Sequence, residues 1–126
     1  MASILLIDDS ELVQQMVSLA LATQGHQVTV ARDMRHGVRR LRDASFDLIL
    51  MDLNMPEVRG EAGVRLLRQR LELEIPIIIL SGEITKDTIA VMAPLKVSHF
   101  VAKGEDFEVR LDAAITQVLG EKAEGD

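Results

Sequence analysis

The 126-residue chain has no cysteine, no tryptophan, no tyrosine and only three phenylalanines. Without cysteine, disulfides, thiolate metal sites and cysteine nucleophiles are excluded. The scarcity of aromatic rings leaves almost no surface on which bases could stack, which argues against binding of single-stranded nucleic acid. A formal net charge of −6 also opposes general affinity for DNA or for an anionic membrane. We therefore expect no direct nucleic-acid partner and no membrane partner.

Long apolar runs are also missing. The aliphatic runs, such as residues 4–7 and 75–80, are far shorter than the roughly 20 residues that cross a bilayer. The N-terminus lacks the basic region and the longer apolar stretch of a signal peptide. These absences predict a cytoplasmic protein. Met1 and the polar end of the chain fit a stand-alone protein and equally the first part of a longer one.

Three short aliphatic runs predict strands that are buried on both faces. They are residues 4–7 (ILLI), 48–51 (LILM) and 77–80 (IIIL), and each is apolar at consecutive positions. Such runs are typical of a parallel sheet covered by helices on both sides. Residues 27–31 and 99–102 are weaker candidates that fit edge or near-edge strands.

Helical spacing of apolar residues fills the intervals between these strands. The five predicted helices lie between Ser10 and Gly25 and over residues 33–44, 60–71, 85–93 and 105–119. Ser10 and Asp33 are suitable N-caps for the first two. This fivefold βα alternation predicts an α/β fold with a doubly wound, five-stranded parallel sheet and five helices. We assign residues 1–119 to this domain and residues 120–126 to a flexible polar tail or the start of a linker.

Polar residues directly follow four of the predicted strands. Asp8 and Asp9 follow the first, Asp52 the third, Ser81 the fourth and Lys103 the fifth. The carboxyl ends of parallel strands share one edge of the sheet, where sites in such folds are built. We therefore expect these five side chains to meet in one pocket. Asp8 taken alone could merely cap the first helix.

Crowded carboxylates repel unless a cation joins them or one of them is protonated. Mg²⁺ suits oxygen ligands and phosphate, with Mn²⁺ as a substitute, whereas the scattered histidines give a zinc site little support. A carboxylate beside Mg²⁺ can attack phosphorus and form an acyl phosphate. Lys103 would then supply positive charge and the Ser81 hydroxyl a hydrogen bond to the phosphoryl oxygens. The pocket predicts phosphoryl transfer to Asp52.

Four motifs in this order resemble the receiver domains of two-component response regulators, the CheY-like family. They are residues 4–9 (ILLIDD), 48–56 (LILMDLNMP), 77–82 (IIILSG) and 100–103 (FVAK). The resemblance extends over essentially the whole chain. It implies the strand order 2-1-3-4-5 in a flavodoxin-like three-layer sandwich. The expected partners are a histidine kinase or a histidine phosphotransfer protein and a downstream protein effector.

The resemblance also implies roles for individual residues. Asp52 would be the phosphorylated residue, Asp9 a direct Mg²⁺ ligand and Asp8 a ligand through water. The backbone carbonyl of Asn54 would complete the protein contacts to the metal. Such a domain catalyses only its own phosphorylation and dephosphorylation, and we do not expect a metabolic enzyme.

Signalling would depend on a switch pair, Ser81 and Phe100, by the same resemblance. When the Ser81 hydroxyl meets the phosphoryl group, the Phe100 ring turns inward and changes the surface of the fourth helix, fifth strand and fifth helix. Asn54 and Glu83 would set how fast the acyl phosphate hydrolyses. Phosphorylation could also drive dimerisation through the fourth and fifth helices, and no residue of the sequence favours or excludes this.

One departure from the family pattern is Gly104, which follows Lys103 where proline is usual. Gly104 is expected to make this turn with a positive φ angle, so the position of Lys103 is not fixed by the family pattern. This departure favours an alternative function, a pseudo-receiver that binds partners without phosphorylation. A second alternative is a Mg²⁺-dependent aspartyl phosphatase, although Asn54 stands where such enzymes have a second acid. The arginines at positions 35, 39 and 42 form either a solvated helix face or a docking patch for an acidic partner.

Overall fold

A computed structural model of the chain describes residues 2–55 and 60–125, with side chains as far as residue 120. Pro56, the last residue of the LILMDLNMP motif, lies outside the described residues. So do Met1 and Asp126, which are the ends of the predicted domain and tail. Within the described ranges, no helix is both long enough and apolar enough to cross a membrane.

The five strands form one parallel sheet in the predicted order, β2-β1-β3-β4-β5. Their bounds are β1 Ser3–Ile7, β2 Gln27–Ala31, β3 Leu48–Asp52, β4 Ile77–Ser81 and β5 His99–Ala102. Every residue of β3 and β4 is buried, which explains why these strands are apolar at consecutive positions. In the register of the sheet, Asp52 lies beside Leu80 and Ser81 beside Ala102. The strand ends that carry the predicted site are therefore level with one another.

The helices lie in the predicted intervals. Their bounds are α1 Glu11–Ala22, α2 Met34–Asp43, α3 Gly60–Arg65, α4 Lys86–Met92 and α5 Phe107–Gly125. The third helix differs from the prediction because its α-helical part ends at Arg65 and a π-helical turn, Leu66–Arg70, follows. A 3-10 turn, Ala93–Leu95, similarly follows α4.

The fifth helix has different bounds from those predicted. It begins at Phe107 and continues to Gly125, beyond Leu119, where apolar spacing ends. Backbone hydrogen bonding propagates a helix once it has started, and apolar periodicity shows only the part of it that packs. The flexibility expected for residues 120–126 and the domain boundary at residue 119 stay predictions.

Side-chain caps fix where α1 and α2 begin. Ser10 accepts a hydrogen bond from the Val13 amide at 3.3 Å, and Asp33 accepts one from the His36 amide at 2.8 Å. These two contacts confirm the predicted caps of α1 and α2. Ser10, and not Asp8, is the N-cap of α1.

Helices cover both faces of the sheet with separate aliphatic clusters. On one face, Leu6 and Leu50 pack with the buried side of α1 and α5, including Val17 and Leu111. The opposite face carries Ile7, Met51 and Ile79 against α2, α3 and α4. Successive strand residues thus enter different clusters. This two-sided packing fixes the strands whose ends form the candidate site.

Candidate functional site

The carboxyl edge of the sheet brings the predicted site residues together. Asp8 follows β1, Asp52 ends β3 and Ser81 ends β4, and all three side chains are buried. Lys103 follows β5 and is half-buried, whereas Asp9 is exposed. These three buried polar residues lie at adjacent strand ends and form a polar cluster in an otherwise apolar core.

Lys103 bridges the two buried carboxylates. Its Nζ lies 2.9 Å from Asp8 Oδ2 and 3.2 Å from Asp52 Oδ1. The Lys103 amide donates to the Ser81 carbonyl at 2.7 Å, which fixes the backbone from which the side chain extends. Gly104 has φ +157° and follows a trans peptide bond, as predicted for a glycine at this turn. The replacement of proline by glycine therefore leaves the Lys103 ammonium in contact with both aspartates.

Asp8 is held by backbone and side-chain contacts around the start of α1. Its Oδ1 accepts from the Ser10 amide at 2.8 Å, and its carbonyl accepts from Gln14 Nε2 at 2.6 Å. Burial raises the pKa of Asp8, and the nearby Asp52 carboxylate acts in the same direction, whereas the Ser10 amide and Lys103 oppose it. The net effect is upward. The folded protein therefore holds a proton on Asp8 more readily than an unfolded chain does.

The surroundings of Lys103 favour its charged form, whereas those of Asp8 favour the neutral form. Burial by itself favours the neutral amine, but the hydrogen bond to Asp8 and the charges of Asp8 and Asp52 outweigh it. These contacts raise the pKa of Lys103 above its ordinary value. The pocket consequently keeps a fixed positive charge at neutral pH, directly beside the Asp52 carboxylate.

The acidic residues of the pocket are arranged as a cation site would require. Asp8, Asp9 and Asp52 each offer a carboxylate oxygen, and these oxygens all lie within 4.8 Å of one another. Hard divalent cations such as Mg²⁺ prefer oxygen donors. The two buried aspartates and the exposed one could therefore hold such an ion.

Ser81 faces its own loop in this structure. Its Oγ donates to the Glu83 carbonyl at 2.8 Å and accepts from the Glu83 amide at 3.3 Å. The Asn54 side-chain amide lies 3.5 Å from the same oxygen, at the limit of hydrogen bonding. The Asn54 backbone amide also donates to Asp52 Oδ1 at 3.2 Å. Phe100 is half-buried on β5, next to Ile79 of β4.

Gln14 is a site residue that the sequence reasoning missed. It lies one helical turn beyond Ser10, and this position places its amide over the end of β1. The spacing could have indicated the contact, but a glutamine on a half-exposed helix face has no distinctive pattern. Its hydrogen bond to the Asp8 carbonyl fixes the backbone between the two acidic positions.

The chain matches the response regulator receiver domain family over residues 4–116. The transcriptional regulatory protein AfsQ1 of Streptomyces coelicolor is 35% identical over 121 residues, which are 94% of this chain and 52% of AfsQ1. The CAI-1 autoinducer sensor kinase/phosphatase CqsS of Vibrio cholerae is 31% identical over 111 residues, or 86% of this chain and 16% of CqsS. The chain thus spans about half of one relative and a small part of the other.

Solved structures show the same architecture. The Vibrio cholerae chemotaxis protein CheY4 superposes with a TM-score of 0.84 at 29% identity, covering 94% of this chain and 98% of that one. The sheet order and the family match over most of the chain agree with this similarity. The chain belongs to the response regulator receiver domains, the CheY-like modules of two-component signalling.

Proposed function

We propose that Asp52 accepts a phosphoryl group from phosphohistidine on a histidine kinase or a histidine phosphotransfer protein. The observation that carries this proposal is the contact of Lys103 with both Asp8 and Asp52 at the edge of the sheet. A buried carboxylate beside a fixed ammonium is a nucleophile placed next to a group that binds phosphoryl oxygens. The domain would thereby act as a phosphorylation-controlled signalling module, and it would turn over no external metabolite.

The transfer step replaces a phosphorus–nitrogen bond with a phosphorus–oxygen bond. An oxygen of Asp52 attacks phosphorus, and the electron pair of the breaking bond stays on the departing imidazole nitrogen of the donor. The imidazole leaves as a neutral ring because its other nitrogen carries a proton. Lys103 offsets the negative charge on the phosphoryl oxygens as they arrive. The product is an acyl phosphate on Asp52 and a free histidine on the donor.

Four groups would hold the divalent cation: the carboxylates of Asp8, Asp9 and Asp52 and the backbone carbonyl of Asn54. Mg²⁺, or Mn²⁺ in its place, would neutralise the charge between the carboxylates and the phosphoryl group. The clustering of three carboxylate oxygens within 4.8 Å supports this assignment, because the single charge of Lys103 offsets only part of their negative charge.

The switch would begin at Ser81. Its hydroxyl now donates to the Glu83 carbonyl, and it would have to turn away from this partner to reach a phosphoryl group on Asp52. The half-buried Phe100 ring would then move inward, and the surface formed by α4, β5 and α5 would change. A downstream protein effector would read this surface.

Two exposed residues at the mouth of the pocket would set the lifetime of the acyl phosphate. Asn54 and Glu83 are both exposed, and each lies two positions after a site residue. Water that attacks the phosphoryl group would approach between them. Exchanging their side chains for larger or charged ones should therefore change the hydrolysis rate more than the rate of phosphorylation.

The two alternatives have less support than the leading proposal. The pseudo-receiver depended on Gly104 misplacing Lys103, yet Lys103 reaches both aspartates. The aspartyl phosphatase needs a second acid two positions after Asp52, where the chain has Asn54. Slow autodephosphorylation without turnover of a small phosphate ester distinguishes a receiver from such a phosphatase.

Intact-mass measurement tests the proposal directly. The protein is incubated with Mg²⁺ and acetyl phosphate, and we expect wild type to gain the mass of one phosphoryl group and Asp52→Ala to gain none. Asp43→Ala, which changes an exposed aspartate at the end of α2, is the matched control and should behave as wild type. Equal labelling of Asp52→Ala and wild type, or no labelling of wild type, would show the assignment to be wrong.

Phosphorylation-dependent dimerisation through α4 and α5 needs its own measurement. Light scattering with and without acetyl phosphate compares the molar mass of the two states. An increase that Asp52→Ala lacks would support the dimer. An unchanged mass in a fully phosphorylated sample would contradict it.

A further inference from the structure

Arg68, in the π-helical turn after α3, donates hydrogen bonds to four backbone carbonyls. Two belong to the loop before β4, because Nη1 lies 2.8 Å from the Leu73 oxygen and 2.7 Å from the Ile75 oxygen. The other two precede β5: Nε lies 2.8 Å from the Leu95 oxygen and Nη2 3.1 Å from the Lys96 oxygen. One side chain thus joins the α3–β4 loop to the turn between α4 and β5.

The turn that Arg68 holds has a strained backbone. Lys96 has φ +59°, a left-handed conformation that persists in a non-glycine residue only where its surroundings fix it. The Lys96 amide donates back to the Ala93 carbonyl, and its own carbonyl accepts from Arg68. Arg68 is half-buried, and burial lowers the pKa of its guanidinium. The four carbonyls supply hydrogen bonds in place of the water that burial removes.

Helix α4 is attached to the domain mainly at its carboxyl end. Met92 is the one buried residue in α4, which is described throughout, and Leu95 in the next turn is also buried. At the amino end, Lys86 and Asp87 are exposed. Residues 82–85 join this end to Ser81. One end of α4 is therefore packed and clamped, and the other is tethered to the switch serine.

We propose that Arg68 is a positioning residue that makes the carboxyl end of α4 the pivot of the switch. The amino end of α4 moves about this pivot when Ser81 turns toward phosphorylated Asp52. This inference rests on the proposed function of Asp52 and Ser81. The carbonyls that Arg68 holds precede β4 and β5, whereas Asp52 lies at the opposite edge of the sheet, so Arg68 acts on the shape change and not on phosphoryl transfer.

Amide hydrogen exchange of wild type, resolved by NMR with and without acetyl phosphate and Mg²⁺, locates the pivot. The amides of Lys96 and Ser98 are hydrogen-bonded to Ala93 and Ile77. Their protection should be the same in both states, while amides in residues 82–88 should change. A change at Lys96 and Ser98 as large as that in residues 82–88 would overturn the pivot. Intact mass of the same sample records phosphorylation, so failure of the proposed function is seen separately.

A second experiment without phosphodonor tests the clamp by itself. Arg68→Lys keeps the charge and the long stem but cannot reach four carbonyls. We expect the Lys96 and Ser98 amides to exchange at least about tenfold faster, because several charge-assisted hydrogen bonds are lost. Arg70→Lys, an exposed residue of the same turn, is the control and should leave exchange unchanged.

The variants also separate positioning from catalysis and from folding. With acetyl phosphate, Arg68→Lys should take up the phosphoryl group at the wild-type rate. Wild-type exchange at Lys96 and Ser98 in this variant, or slowed phosphoryl uptake, would overturn the proposal. Arg68→Gln is the second variant. Loss of the folded state in both, seen by circular dichroism, would also overturn it, because Arg68 would then support the whole domain.

Discussion

Lys103 and Asp8 are 95 positions apart in the chain and are joined by a hydrogen bond of 2.9 Å between Nζ and Oδ2. Asp8 is fully buried and has little contact with water. The Lys103 ammonium therefore stabilises the Asp8 carboxylate in place of the water that burial removes. The same nitrogen lies 3.2 Å from Asp52 Oδ1. One ammonium therefore contacts two buried carboxylates and offsets part of their negative charge.

Lys103→Met should lower the free energy of unfolding at neutral pH by about 1 to 3 kcal/mol, because two buried carboxylates lose their counter-charge. Mg²⁺ should restore part of this loss if it binds the folded carboxylate cluster as proposed, because the unfolded chain does not hold these carboxylates together. Urea unfolding with and without Mg²⁺ measures both effects. Lys86→Met removes an exposed lysine of α4 and serves as the control. If both variants unfold at the same urea concentration, the balancing role of Lys103 is wrong.

Asp8→Asn should raise the free energy of unfolding near pH 7, because burial disfavours the charged form of Asp8 and raises its pKa. The pKa of Asp8 is raised on folding, so between 3.8 and its folded value the folded state keeps a proton that the unfolded state has lost. Stability of wild type therefore falls as pH rises through this window and stays reduced above it.

The upward shift in the pKa of Asp8 also predicts how the stabilities of wild type and Asp8→Asn differ across pH. The advantage of Asp8→Asn should be full at neutral pH and should vanish as pH falls below 3.8. Thermal unfolding from pH 7 to pH 3.5 in Mg²⁺-free buffer measures this difference. Asp43→Asn, at an exposed position, should show no such convergence. An advantage that grows as pH falls would mean that the folded pKa of Asp8 is lowered and not raised.

Ser81→Ala should slow phosphoryl uptake from acetyl phosphate by roughly tenfold or more, because one hydrogen-bond donor to the phosphoryl oxygens is lost. Ser81→Thr retains the hydroxyl and should react much faster than Ser81→Ala. Fluorine NMR of protein labelled with fluorophenylalanine follows the switch, since the chain has only three phenylalanines. The Phe100 resonance should shift on phosphorylation in wild type and in Ser81→Thr, but not in Ser81→Ala. A full shift of the Phe100 resonance in Ser81→Ala would show that the Phe100 ring responds to phosphorylation without the Ser81 hydroxyl.

The sequence predicted the strands and the meeting of Asp8, Asp52, Ser81 and Lys103, because consecutive aliphatic residues and topology decide both. It could not predict the direction of the Ser81 hydroxyl, which is set by hydrogen bonds to Glu83. The π-helical turn was equally invisible, because apolar spacing of 3 and 4 continues to Leu71 and only backbone hydrogen bonding distinguishes the two helix types.

Arg68 shows a further limit of sequence reasoning. In the sequence it is a charged residue at the end of an amphipathic helix, where a solvated side chain is the usual outcome. Its four acceptors are backbone carbonyls. Every residue has such a carbonyl, so residue types do not reveal which ones Arg68 contacts. Contacts of this kind depend on how two loops meet in three dimensions, and a single sequence does not contain that information.

Gly37→Ala should destabilise the domain by about 1 to 3 kcal/mol although alanine is the better helix former. A Cβ at Gly37 of α2 would lie 2.7 Å from Ile7 Cδ1 and 3.1 Å from Ile7 Cγ1, and Ile7 is fully buried in the cluster on this face of the sheet. Gly120→Ala in α5 is the matched control, because a Cβ there would meet none of the described atoms within 4 Å, and it should stabilise by roughly 0.5 to 1 kcal/mol. Urea unfolding of the two variants measures the contrast.

The effect of Gly37→Ala should also reach the phosphorylation site. Ile7 directly precedes Asp8, so a displaced Ile7 moves the carboxylate that Lys103 contacts. Phosphoryl uptake from acetyl phosphate should therefore slow in Gly37→Ala, under conditions where it is still folded, and remain unchanged in Gly120→Ala. Destabilisation without slower uptake would mean that β1 absorbs the clash before it reaches Asp8. Uptake as fast as wild type with unchanged stability would show that α2 moves away from the sheet at low cost.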